Sequence, residues 1–230
     1  MGSIFSRRSQ QEEIMDYLLC SGEVVDQTLR ELDSINALLG GNSATIDGVN
    51  QLIKGRQNIS VIDLGCGSGK MLLMLANKFQ AQGISFVGVD ANPNIVAFAK
   101  ANNAHRLIRY EVSNILSEEF QQQRFGIAVA TLFLHHFTSE QLVKIFRALA
   151  SQCSVGIVVN DLHRHWFAYY SIKILTRIFS RSGMVKFDAP VSVLRGFHRS
   201  ELIQILEAAG VKNYTIRWKW AFRWQILIRT

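Results

Sequence analysis

Three groups of residues in this chain have the types and spacing to do chemistry together. The run Val61-Ile62-Asp63-Leu64-Gly65-Cys66-Gly67-Ser68-Gly69-Lys70 carries an apolar stretch straight into three alternating glycines. Glycine lets backbone come close to a bound molecule where a side chain would obstruct it, so a nucleotide-like ligand fits there. About twenty residues later, Phe86-Val87-Gly88-Val89-Asp90 ends in a carboxylate that can accept both hydroxyls of a ribose. Together these two features describe an adenosine site. The third group is Leu132-Phe133-Leu134-His135-His136-Phe137, with Asp161 after Val158-Val159-Asn160. An imidazole can take the proton of a hydroxyl nucleophile, and a carboxylate beside it can fix its tautomer. Adjacent histidines do not easily face one pocket together, and the sequence leaves open which of the two does.

The details of spacing narrow the cofactor. A dinucleotide fingerprint needs G-x-G-x-x-G, whereas Lys70 stands where the third glycine would be, which argues against NAD or FAD. Met71 after the lysine removes the P-loop pattern and with it the support for ATP. Cys66 reads as a small apolar filler rather than a nucleophile. His163 and His165 near Asp161 raise a metal reading, but an H-x-H in a polar loop without further ligands is set aside, and no metal is expected.

Elements that could position these groups follow from periodicity. Apolar runs at 60–64, 84–89, 107–112, 125–130 and 155–160 alternate with amphipathic stretches, the signature of a parallel sheet covered by helices. Helices are predicted over 68–79, from Asn92-Pro93 with proline at the first turn, and from Thr138, where Gln141 completes a capping box. A helix from Ser200 to Gly210 and two alternating runs at 214–218 and 223–228 finish the chain as an antiparallel strand pair with a tight connection. The fold class is therefore α/β and Rossmann-like: a mostly parallel sheet with an antiparallel carboxyl-terminal pair and helices on both faces. Ahead of it, Val25, Leu29, Leu32, Ile35 and Leu39 mark one helix stopped by Gly40-Gly41, and a second is predicted from Ser43 as N-cap, burying Ile46, Val49, Leu52 and Ile53. Residues 1–56 are expected to form a helical lid segment on a domain spanning 57–230, with a further lid insertion at 162–199.

Composition bounds the alternatives. With 230 residues, 48% hydrophobic, 19% charged and two prolines, the chain can bury a core and is neither disordered nor collagen-like. No apolar run is long enough to span a bilayer and the start lacks a secretory signal, so a cytoplasmic location is expected. Three cysteines without a CxxC suggest neither disulfides nor a thiolate metal site. The net charge of +7 is partly concentrated at 162–200, where seven Lys or Arg face one acid, Asp188. No nucleic-acid module accompanies them, so a solvated basic face is expected, with no nucleic-acid partner and no predicted membrane contact. The same segment holds Trp166, Phe167, Tyr169, Tyr170, Ile174 and Ile178, which read either as a lid over an apolar acceptor or as a helix packed on the sheet. The start Met1-Gly2-Ser3 also fits an N-myristoylation pattern, meaningful only in a eukaryotic host.

The acid-L-G-x-G-x-G run with the second-strand acid resembles the class I S-adenosylmethionine-dependent methyltransferases over residues 60–230. The resemblance implies that Asp63 meets the cofactor ammonium, that Gly65, Cys66 and Gly67 wrap it, that Asp90 holds the ribose and that Ala91 borders the adenine. The stretch after the third strand, with Asn114 where Asp is common and Ile115 beside it, would meet the adenine amine, and Thr131 would lie beneath the methionine part. His135 or His136 with Asp161 is similar to the dyads of natural-product O-methyltransferases. Arg7-Arg8-Ser9 through Glu13-Ile14-Met15-Asp16 is similar to the lead-in of bacterial enzymes linked to polyketide or aromatic-pigment synthesis. The expected activity is methyl transfer from S-adenosylmethionine, leaving S-adenosylhomocysteine, to an oxygen of a hydrophobic, phenolic or polyketide-derived small molecule. The alternatives are C-methylation of a quinone or polyketide precursor, a cofactor-binding partner protein without turnover and, more weakly, RNA methylation.

Overall fold

The computed structural model describes residues 4–230, so Gly2 and its acylation pattern lie outside the described residues. Among the described residues, seven strands form one sheet: β1 Ser60–Leu64, β2 Ser85–Asp90, β3 Ile108–Val112, β4 Phe125–Thr131, β5 Cys153–Leu162, β6 Tyr214–Lys219 and β7 Arg223–Arg229, in the order β3-β2-β1-β4-β5-β7-β6. β1 to β5 run parallel, and β7 inserts antiparallel between β5 and β6. The strand order reverses between β1 and β4, and at such a switch point the loops diverge and leave a crevice at the carboxyl ends of the strands.

Alternation along the strands sends side chains to two cores. Ile62, Leu64, Ala128, Ala130, Ile157 and Val159 pack with Phe120 of the short α5 (Glu118–Gln121), with Leu142, Ile145, Phe146 and Leu149 of α6 (Ser139–Gln152) and with Leu202, Ile205 and Leu206 of α9 (Arg199–Ala208). Val61, Ile127, Val129 and Val158 face the other way, against α2 (Gly41–Ile53) and α3 (Lys70–Phe79) and against Val96 and Ala99 of α4 (Pro93–Asn102). Local signals hold where they are self-contained. Asn92 caps α4 by accepting from the Asn94 N–H ahead of Pro93, and Thr138 and Gln141 form the reciprocal capping box of α6.

Several boundaries differ from the sequence reading. α2 begins at Gly41 with Gly40, in a left-handed conformation, as its N-cap; Ser43 lies inside the helix, and its hydroxyl donates to the Gly40 carbonyl. Val49, Leu52 and Ile53 of this helix enter the sheet core, while α1 (Glu23–Leu38) sets Val25 and Leu29 against Ile95 and Phe98 of α4. β5 runs on through Leu162, so Asp161 belongs to the strand, and Thr131 is the last residue of β4. The basic segment forms α7 (Trp166–Phe179) and α8 (Gly183–Arg195), and two of its cations are not solvated. Arg164 is wholly buried and paired with Glu201, and Arg195 is buried against Asp16. α7 packs on α8 and lies away from the sheet.

Candidate active site

At the tip of β1 the chain turns through Gly65, Gly67 and Gly69 with φ of 64°, 52° and 82°. A side chain at Gly65 would run into the Phe133 ring and one at Gly69 into Tyr110, so this turn admits only glycine at either position. The Asn103 amide donates to the Ser68 carbonyl at 2.8 Å, and the Ser68 hydroxyl donates to Asp33 of α1 at 2.8 Å, which holds the turn from both sides.

Asp63 is buried and its Oδ1 has no partner among the described residues. Burial, and then repulsion from Asp90, pushes its carboxyl up to about 8. Asp90 accepts from the backbone N–H of Asn92 at 3.0 Å and of Gly67 at 3.3 Å. Burial raises it also, and those N–H groups pull part of the shift back. A buried carboxylate with one oxygen unpartnered among the described residues, beside a turn open at Gly67, fits a cationic ligand group, and the Asp90 oxygens keep lone pairs for ribose hydroxyls. The residues present therefore fit S-adenosylmethionine: Asp63 would take the ammonium and Asp90 the ribose.

The remaining predicted contacts surround this point unevenly. The Cys66 thiol is buried and raised well above its ordinary value, first by burial and then by Asp63, so it stays a neutral filler. Ala91 is half-buried and Ile115 buried, whereas Asn114 is exposed and its Oδ1 accepts from the Leu116 N–H at 2.9 Å. One amide lone pair there remains for an amine donor. The Thr131 hydroxyl meets Thr45 of α2 at 2.8 Å, and Thr45 also accepts from Asn160 at 3.0 Å, so α2 is tied to the tips of β4 and β5.

The two histidines separate into different surroundings. His135 is buried between carboxylates, with Nδ1 2.7 Å from Asp161 and Nε2 3.4 Å from Glu13. Burial opposes its charge, but Asp161 and then Glu13 overcome that cost and raise it to about 9. Asp161 accepts from the N–H groups of Leu134, His135 and Leu162 besides the imidazole, and despite burial the His135 charge keeps its carboxyl below the usual range. The two carboxylates thus favour the charged form of His135. His136 is partly exposed, its Nδ1 sits 2.5 Å from Asp16, and its Nε2 meets no partner among the described residues. It stands within electrostatic reach of Asp90 and beside the Phe133 ring over Gly65.

Sequence reasoning did not single out Glu13, Asp16, Arg8 or Arg195 for this role. Arg195 pairs with Asp16 and donates to the carbonyls of His135 and His136, while Arg8 donates to those of His135 and Phe137. Asp188 accepts from the Ile14 and Met15 N–H groups and so anchors the short 3-10 turn Ile14–Asp16 to α8. Glu13, His135 and His136 bring three potential ligand atoms within 4.8 Å, but in this arrangement both imidazoles already face carboxylates. A cleft of about 590 Å³, lined by residues 12–14 and 16–20, opens at Glu13 and Asp16 and carries Tyr17, Leu18 and Leu19. Another cavity, about 440 Å³ beside Ser60, Arg124 and Cys153, lies at the far end of the strands and has neither carboxylate nor imidazole in its lining.

Residues 61–156 match the family model described as a methyltransferase domain. The chain is 23% identical over 171 residues to a release factor glutamine methyltransferase of Flavobacterium psychrophilum, covering 73% of this chain and 57% of that protein. It is 25% identical over 173 residues to a peramine synthetase of Metarhizium majus, covering 67% of this chain and 6% of that protein. To a carboxy-S-adenosyl-L-methionine synthase of Campylobacter jejuni it is 27% identical over 182 residues, covering 71% and 74%. The chain therefore spans little more than half of the first relative and a small part of the second. Among solved structures it is similar to the plantazolicin methyltransferase in complex with S-adenosylhomocysteine, with TM-score 0.66, 14% identity and coverage of 90% and 94%. It is also similar to human N-acetylserotonin methyltransferase in complex with S-adenosylmethionine, with TM-score 0.65, 15% identity and coverage of 90% and 55%. At these identities the likeness is one of fold.

Proposed function

We propose that this chain is a class I S-adenosylmethionine-dependent methyltransferase that transfers a methyl group to an oxygen of a hydrophobic, phenol-like small molecule. The observation that supports this reading is the His136 and Asp16 pair, in which Nδ1 is engaged and Nε2 meets no partner among the described residues, with the imidazole beside the Phe133 ring that packs on Gly65. When bound, S-adenosylmethionine supplies a methyl on a sulfonium, open to in-line attack. Holding a nucleophile aligned with such a methyl can be worth about 7–11 kcal/mol, so most of the protein's task is positioning.

In this reading Asp63 takes the cofactor ammonium and Asp90 the ribose hydroxyls, while Gly65, Cys66 and Gly67 give the backbone surface against them. Ala91, Asn114 and Ile115 border the adenine, and Thr131 fixes α2 close by through Thr45. Nε2 of His136 accepts the hydroxyl proton of the acceptor as the oxygen attacks, and Asp16 holds the Nδ1–H and balances the imidazolium that forms. Neither His135 nor Asp161 moves a proton. Clamped together, they set the main chain from which His136 projects. The cleft beside Glu13 and Asp16 has an apolar rim of Tyr17, Leu18 and Leu19 that suits a small hydrophobic molecule, and Asp16 is the residue it shares with the His136 pair. In this reading the Ile14–Asp16 turn and α8 serve as its cover, with α8 packed against the histidine turn.

The test is incubation with methyl-labelled S-adenosylmethionine and a panel of phenolic acceptors, followed by NMR of the product. An oxygen-linked methyl supports the reading. A carbon-linked methyl, or no turnover while S-adenosylhomocysteine still binds, overturns it in favour of C-methylation or of a binding partner protein.

A further inference from the structure

α7 inverts the usual arrangement of a helix on a globular protein, which hides its apolar stripe and shows its polar one. Of its fourteen residues only Thr176 is buried. Trp166, Tyr170, Ile174 and Ile178 recur at four-residue intervals as one stripe and are 56%, 50%, 59% and 66% exposed. The apolar surface continues beyond the helix through ring contacts. Trp166 meets Phe167 at 5.6 Å, Phe167 meets Phe222 at 5.8 Å, and Phe222 meets Trp218 at 6.0 Å, in the turn between β6 and β7 that also exposes Trp220. A contiguous exposed apolar patch of this kind marks a binding surface.

Its charge identifies the occupant. Lys173, Arg177, Arg181 and Lys186 are exposed along α7 and α8. The one acid in this stretch of sequence, Asp188, is buried against the Ile14 and Met15 N–H groups, and the carboxylate of Glu31 from α1, at the corner between α7 and α8, is taken by the Ser180 hydroxyl and the Arg181 and Ser182 N–H groups, so the basic residues outnumber the acids on this face. A two-fold pairing of this face with a second copy would set these cations against their like. Fourteen residues rise about 21 Å, short of the roughly 30 Å hydrocarbon thickness, so the helix can lie in a bilayer surface but not cross it. Aromatic rings sit well at the headgroup level, aliphatic side chains enter the acyl boundary, and basic residues meet anionic lipid. We propose that the α7 face, extended by Phe222 and Trp218, docks on an anionic phospholipid membrane.

The test is flotation of the full chain with phosphatidylcholine vesicles, with and without phosphatidylglycerol, at low and high salt. Partition at least roughly tenfold stronger onto the anionic vesicles, weakened by salt, is expected. The double variants Ile174→Glu with Ile178→Glu, and Lys173→Glu with Arg177→Glu, should each lose that partition while their thermal unfolding stays that of the parent. Absent or equal binding to both vesicle types overturns the proposal, as does binding that survives in the variants. So does sedimentation showing a dimer that the first variant dissociates, which would assign the face to a second copy.

Discussion

Nδ1 of His136 and Oδ1 of Asp16 lie 2.5 Å apart although 120 residues of chain separate them. The carboxylate is placed independently of the imidazole, because Arg195 pairs with it and the Glu13 N–H donates to its other oxygen at 3.0 Å. Burial disfavours its ionisation, yet His136 and Arg195 hold it well below the usual carboxylate range. Asp16 is therefore held as an anion, and it faces a partly exposed histidine.

His136→Gln and Asp16→Asn should each lower kcat by about 100-fold or more, the usual worth of a positioned proton acceptor, and leave S-adenosylhomocysteine affinity within a factor of a few. A base leaves a signature that a packing residue does not. The residual rate of His136→Gln should climb with pH as the phenol, unperturbed near 10, ionises without help. A variant that loses cofactor binding in step with turnover would make the pair structural.

Asp63→Asn should move two quantities in opposite directions. Because Asp63 is raised from 3.8 to about 8 in the folded chain, the stability it contributes is present below pH 4 and is lost as pH rises through about 8. The amide removes that loss, so the cofactor-free variant should unfold at higher temperature than the parent at pH 8. S-adenosylhomocysteine affinity should fall by tenfold or more, and parent affinity should itself rise with pH toward 8 as the carboxylate ionises. Calorimetric titration across pH checks both. An unchanged affinity would remove Asp63 from the site.

His135→Gln should destabilise the protein near neutral pH by on the order of 3 kcal/mol, since it strips an imidazolium from two buried carboxylates. The sign follows from the raised value. Stability from His135 is complete below about 6.5 and disappears as pH rises through about 9, so the parent should lose stability over that interval and the variant should not. Denaturant unfolding at a series of pH values measures it.

Gly65→Ala places a Cβ at φ 64° and into the Phe133 ring, and should cost roughly 1–3 kcal/mol and weaken cofactor binding. Gly55→Ala is the matched control: φ there is 76° with no atom within 4 Å of the added Cβ, so only the backbone cost of about 1–2 kcal/mol applies and binding should not change. Equal effects of the two on affinity would count against a close backbone approach at Gly65.

What the sequence determined by itself is whatever neighbouring residues decide among themselves. The apolar runs of β1 and β4, the glycine turn after Leu64, the proline start of α4 and the Thr138 and Gln141 box are all settled within a few residues, and each stands in the structure with at most a residue's change of bounds. The helix start at Ser43 failed because Gly40 in a left-handed conformation could supply the turn without a side-chain cap. Only the tertiary structure decided the rest. That His135 is buried and His136 partly exposed goes with Asp161 taking the first and Asp16 the second, and those partners come from β5 and from the amino-terminal turn. Arg164 and Arg195 counted as surface charge until Glu201 and Asp16 met them inside. Charge pairing between distant residues leaves no periodicity in a sequence, because it depends on where the chain returns in space and not on which residues are adjacent.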